Sequence, residues 1–167
     1  MLARPTPVDG EVAAVTFKSH LDELWTSSLA ADNGWGRFTL DPIHVIITMW
    51  AVRQDGLREH YFVQLGGEYY DQWPPTVCFV EPQQWKPVGS ASRWWPQIAC
   101  PDWFGLHLSH PGISRQLVCF SFTAEYYMVD HTPILPAVWK PGVHTLAATL
   151  MRLQEILRFP HYQKPSL

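Results

Sequence analysis

The chain has 167 residues, 47% of them apolar, and a formal net charge of −3. This size and composition fit one compact domain that buries a core without disulfides or metals, and they exclude general disorder. A mildly acidic chain has neither the electrostatic footprint of a nucleic-acid binder nor a basic stripe for anionic membranes.

The opening "MLARPTPVDGE" is too polar and too Pro-rich for a signal peptide. No run approaches the ~18 apolar residues that a membrane span needs. A cytoplasmic protein is therefore expected. The three cysteines, Cys78, Cys100 and Cys119, are an odd number. In a reducing compartment they read as core, ligand or nucleophile rather than as a disulfide framework.

Residues 1–10 read as a flexible lead. From Glu11, the residues Val12, Val15, Leu21, Leu24, Trp25 and Leu29 fit one helical face, with "KSHLDEL" on the polar side. The turn around Asn33, Gly34 and Gly36 closes this helix. "RFTLDPIHVIITMWAVR" predicts one or two strands interrupted near Pro42, and Asp55-Gly56 predicts a hairpin. "HYFVQLGGEYY" is the return strand, and "PPTVCFVEP" is a short strand boxed by prolines.

Residues 83–112 are rich in Trp and Pro and have no sustained period, which predicts a long ordered loop packed by its own aromatics. "RQLVCFSFTAEYYMV" predicts a strand running into a turn or short helix. Val143, Leu146, Ala147, Leu150, Leu153 and Leu157 predict a terminal helix between Pro141-Gly142 and Pro160. The order of helix, antiparallel meander, long irregular segment and helix is an α+β layout.

Cys119 follows "SHPGISRQLV", with apolar Leu117 and Val118 just ahead of the thiol. The residues alone allow two readings: a buried strand cysteine, or a nucleophile on a loop that the apolar pair pins to the core. Cys78 alternates within "TVCFV" and reads as core. Cys100, His107, His110 and Cys119 are zinc-ligand types at the spacing Cys-x6-His-x2-His-x8-Cys, without a tight Cys-x-x-Cys knuckle. A metal there would occupy Cys119. In "YYMVDHTP", His131 has a side chain that titrates near neutrality, and Asp130 is placed to orient it. The same pair equally reads as a solvated loop pair. No phosphate-cradling glycine loop or dinucleotide fingerprint occurs, so no nucleotide cofactor is expected.

Several segments, in order, resemble the ubiquitin-conjugating (E2) family. "YYDQWPPTVCFV" resembles the family's Pro-Pro lead into the meander. "HPGI", His110–Ile113, is similar to its His-Pro-Asn turn. Cys119 follows near the family's spacing for the catalytic cysteine. "VWKPGVHTLAATLMRLQEILRFPHYQKP" resembles the stretch in which Trp and Pro introduce a long helix.

The resemblance implies a single UBC-like domain over 1–167: an N-terminal helix, an antiparallel four-stranded meander, a long irregular active-site segment and a C-terminal helix. It implies a transferase that needs no cofactor of its own. Cys119 would accept a ubiquitin-like C-terminus from an E1-like adenylating enzyme as a thioester and pass it to an amine of a target protein. His131 and Asp130 would serve the proton step. His110 and Gly112 would support the active-site turn, while Tyr126 and Tyr127 would position a tail or lysine or pack in the core.

The chain departs from the family pattern where the turn's Asn, thought to stabilise the oxyanion, is Gly112. The stretches from Pro75 to His110 and from Cys119 to Trp139 are also longer than in a minimal member. In lacking the Asn and carrying a His beyond the cysteine, the chain is more similar to bacterial E2-like proteins of conjugation operons, antiphage ones included. Two other functions stay open: an inert E2 variant that only binds or scaffolds, and a small zinc-stabilised structural domain.

Overall fold

Asp9 starts the first helix, its Oδ1 accepting the backbone N–H groups of Glu11 and Val12 at 3.0 and 3.1 Å. The computed structural model of the chain describes residues 3–130 and 138–166. Helix α1 spans Gly10–Thr26 and buries Ala13, Phe17, Leu21 and Leu24. Val12 and Val15 were expected on this stripe but are 60% and 71% exposed. A helix advances about 100° per residue, so the stripe that holds Phe17 and Leu21 turns both valines to solvent. Within the lead, the Val8 N–H donates to the Glu68 carbonyl at 3.1 Å. The helix breaks at Ser27, and a second turn, α2 (Leu29–Asn33), ends on left-handed Gly34.

Strands β1 (Gly36–Asp41), β2 (His44–Val52), β3 (Arg58–Gly66) and β4 (Thr76–Phe79) form one antiparallel sheet in that order. One face carries Val45, Ile47, Met49, Tyr61, Val63, Leu65, Val77 and Phe79, all buried. Helix α1 and helix α4 (Leu146–Ile156) belong to the same core, α4 through Leu146, Leu150, Leu153 and Ile156. Val143, expected on this helix, precedes it and is exposed. Polar side chains fix the layers: Tyr70 Oη lies 2.6 Å from His20 Nδ1 and accepts the Leu146 N–H at 3.1 Å.

The segment 83–112 departs from the expected loop. It contains β5 (Pro96–Ile98) and β6 (Gly105–His107), and its tryptophans pack mainly on other elements. Trp85 meets Phe38 and Phe62, Trp94 meets Phe62, and Trp95 meets Phe79. The segment thus folds over the sheet. β5 pairs with the C-terminal strand β8 (Tyr162–Pro165), and β6 pairs with β7 (Leu117–Cys119). Short helix α3 (Ala124–Met128) follows β7. Among the described residues, no helix is long and apolar enough to cross a membrane.

Candidate functional site around Cys119

The far edge of β4 explains how Cys119 is held. The Val77 and Phe79 N–H groups point away from β3, and both are buried strand donors that need partners. Side chains supply them. Gln116 Oε1 accepts the Phe79 N–H at 2.9 Å, and its Nε2 donates to the Phe79 carbonyl at 2.8 Å. Glu125 accepts the Val77 N–H at 3.2 Å. These residues bracket Cys119, three before it and six after it. Thr123, fully buried, donates its hydroxyl to the Val118 carbonyl at 2.7 Å. The cysteine segment is therefore tied to the sheet on both sides.

Cys119 ends β7 and is half-buried; Leu117 and Val118 before it are buried, as expected for an apolar anchor. Its cross-strand partner is Gly105. A Cβ on Gly105 would lie 3.5 Å from Cys119 Cβ and 3.8 Å from His107 Nε2. The missing side chain leaves a gap between the cysteine and the exposed His107 ring, two residues along the same strand face. Burial, and then the nearby charge of Glu125, pushes the Cys119 thiol up to about 11. At neutral pH it is a protonated, protected thiol.

A Gly105→Val chain is expected to fold, because the added Cβ makes an ordinary contact. Its Cys119 should react with iodoacetamide at least ~10-fold more slowly at about pH 8.5. Exposed Cys100, read in the same peptide digest by mass spectrometry, serves as the internal control. Equal Cys119 rates in the two chains would show that the gap is not the route to the sulfur.

The His-Pro-Gly turn closes on itself. His110 Nδ1 accepts the Gly112 N–H at 3.0 Å, and the Ile113 N–H donates to the His110 carbonyl at 3.1 Å. A Cβ at Gly112 would lie 3.2 Å from that ring nitrogen and 3.6 Å from Val129 Cγ1. Glycine thus lets the histidine ring fold over the turn, and the turn lies against the residue before Asp130. Asp130 is exposed, and Arg4 donates to its carboxylate at 3.4 Å. His131 lies outside the described residues.

Tyr126 and Tyr127 are buried. Tyr127 Oη donates to the Ser121 carbonyl at 3.0 Å and accepts the Trp139 N–H at 2.9 Å. Cys78 is half-buried in the sheet, and burial pushes its thiol up to about 12. The zinc expectation finds no geometry: among the described residues, no three of Cys, His, Asp and Glu are grouped to hold a metal ion. His107 and His110 approach each other, with ring centroids 6.3 Å apart.

The sequence singled out His107 only as a metal-ligand type. Its place beside Cys119 depends on the β6–β7 register. No protein-family model matches the chain, and no curated protein matches it.

Proposed function

We propose that this chain is an E2-like transferase of the UBC-like fold, with Cys119 as the residue that carries a ubiquitin-like C-terminus. The observation that supports this best is the placement of Cys119. Its half-buried thiol closes a strand that Gln116, Thr123 and Glu125 tie to a four-stranded antiparallel sheet, with a glycine-lined gap toward His107. The element order of helix, meander, cysteine segment and helix agrees with the family resemblance.

In this reading the Cys119 sulfur attacks the thioester carbonyl of a modifier held on an E1-like enzyme, and the Cys119 thiol proton passes to the E1 thiolate that leaves. A target amine then attacks the new thioester, and the Cys119 thiolate departs. His107, exposed on the cysteine's strand face, takes the amine proton. The roles that the resemblance implies for Asp130 and His131 compete with His107 for this step.

The test isolates the protein from its native cells under non-reducing conditions. The native chain should carry a reductant-labile protein adduct at Cys119, and Cys119→Ala should carry none. His107→Gln should keep the adduct and transfer it to amine more slowly, whereas unchanged transfer would move the proton step to His131 and Asp130. An adduct that survives Cys119→Ala would refute the assignment.

A second reading, a binding module without transfer chemistry, is favoured by the raised thiol pKa and by Gly112 in the turn. It predicts no adduct on Cys119 at any stage.

A further inference from the structure

We propose that His44 is a pH-sensitive clamp: protonated, it pins the Glu68 segment to the sheet, and on losing its proton it lets that segment go. The register of β1 on β2 shifts between Thr39 and Asp41, which sets Asp41 opposite His44. His44 in turn faces Gly66 on β3, and Gly66 faces Thr76 on β4. Asp41, His44, Gly66 and Thr76 thus form a row across the sheet from β1 to β4, and cross-strand partners share a face. Gly66 is the gap in that row, and Glu68 folds back into it. A Cβ on Gly66 would lie 2.6 Å from Glu68 Oε2.

The imidazole is held from two sides. Nδ1 lies 3.0 and 2.8 Å from the two Asp41 oxygens, and Nε2 lies 2.8 Å from Glu68 Oε1. The other Glu68 oxygen accepts the Thr76 hydroxyl at 3.3 Å. An ionised carboxylate only accepts, so each carboxylate needs a ring N–H. A neutral imidazole has one and an imidazolium has two, so the arrangement is complete only with His44 charged. A neutral ring keeps its proton on Nδ1, between both Asp41 oxygens, and turns the Nε2 lone pair toward Glu68. Glu68 then swings away. Two backbone bonds span the same joint: the Gly67 N–H donates to the Ile43 carbonyl at 2.8 Å, and the Val8 N–H donates to the Glu68 carbonyl at 3.1 Å. The clamp therefore governs the hold on the N-terminal lead just ahead of α1.

Other charges surround this joint. Lys18 and Asp22 on α1 and Arg37 on β1 line the same groove as Asp41 and His44, and both cations pair with Asp22. Burial opposes the His44 charge, but the hydrogen bonds to Glu68 and Asp41 outweigh it and raise its pKa. Burial, and in small part the Glu68 charge, raises the Glu125 carboxyl on α3. Glu125→Gln therefore serves as a second background in which that titration is removed.

Ring nitrogen shifts of His44, followed by NMR from about pH 5 to about pH 9, test the clamp in the native chain and in Glu125→Gln. The midpoint should lie above the ordinary 6.5, and Asp41→Asn and Glu68→Gln should each lower it. Protection of the Gly67 amide against hydrogen exchange, corrected for the intrinsic rate, is the structural readout. A raised group stabilises below its free pKa and loses that effect as pH rises through the raised one. Protection should accordingly be full at the acid end and fall at least ~3-fold through the His44 midpoint. In Glu68→Gln the fall should vanish, because an amide can donate to a neutral ring nitrogen as well as accept from a charged one. A midpoint at or below 6.5, a midpoint that neither variant lowers, or Gly67 protection that stays flat through the midpoint would each overturn the proposal. The native chain supplies the first and third of these readings by itself, so they stand even where a variant fails to fold.

Discussion

A Glu125→Gln chain is expected to hold its stability between about pH 5.5 and 7.5, where the native chain loses about 2–3 kcal/mol relative to it. Glu125 is 1% exposed, and burial pushes its carboxyl from an ordinary 4.5 up to about 8. The Val77 N–H and the Arg115 guanidinium, 3.6 Å away, offset that cost only in part. Between the two pKa values the folded chain keeps a proton that the unfolded chain has released. A group raised in this way contributes stability that is fully present below its unfolded pKa and falls as pH rises toward the folded one.

The limiting slope is about 1.4 kcal/mol per pH unit. Glutamine preserves the shape and the acceptor for Val77 without the charge. Other groups titrate in the same window. Hydrogen bonds to Glu68 and Asp41 hold His44 up against the opposing effect of burial. Burial holds His60 and His144 down, helped by the Arg58 and Lys140 charges. Urea melts of both chains at each pH remove these shared contributions, because only their difference is read. Parallel pH profiles would show that Glu125 is ionised in the fold at neutral pH. Above about pH 8, where Glu125 ionises in the fold, the glutamine also removes a charge from beside Cys119 and lowers its thiol slightly, since burial is the larger cause there. Alkylation of Cys119 should then speed up, by less than ~10-fold.

The parts of the fold that the sequence disclosed are those with long periods. β2 and β3 run for nine residues each, and α4 for eleven. Their apolar patterns therefore repeat often enough to be seen. β5 and β6 have three residues and β8 has four, too short to show a period. Their partners also lie at unpredictable distances along the chain. The same limit governs the site. Cys119 and the His110–Gly112 turn stand out in the sequence because their cues are local. His107 does not, because its nearness to Cys119 depends on Gly105 pairing across the hairpin. Gln116 and Glu125 are of residue types that mostly lie at the surface, yet both are buried. Only the unpaired edge of β4 explains why polar side chains belong there.

Gln116→Ala is the second large effect, a loss of about 2–4 kcal/mol. The Phe79 carbonyl keeps the Val88 N–H as a donor at 3.1 Å, so it stays satisfied. The Phe79 N–H has no such substitute and becomes a buried orphan, which costs about 1–3 kcal/mol by itself. The vacated side-chain volume adds a cavity cost, since Gln116 is 3% exposed. Gln116→Glu separates these two contributions. It fills the space and keeps an acceptor for Phe79 N–H, but it sets a second acceptor against the Phe79 carbonyl and places another carboxyl near Glu125. It should therefore be as damaging as alanine at neutral pH and recover as pH falls and the carboxyl protonates. Chemical denaturation supplies the stabilities, and Cys119 alkylation reports the local consequence. If Gln116 holds β7 against β4, its loss exposes the thiol, and alkylation at about pH 8.5 should accelerate even under conditions where the chain remains folded. A stability change below about 1 kcal/mol, with the alkylation rate unmoved, would mean that water replaces the glutamine at this edge and that the cysteine segment is held by Thr123 and Glu125 alone.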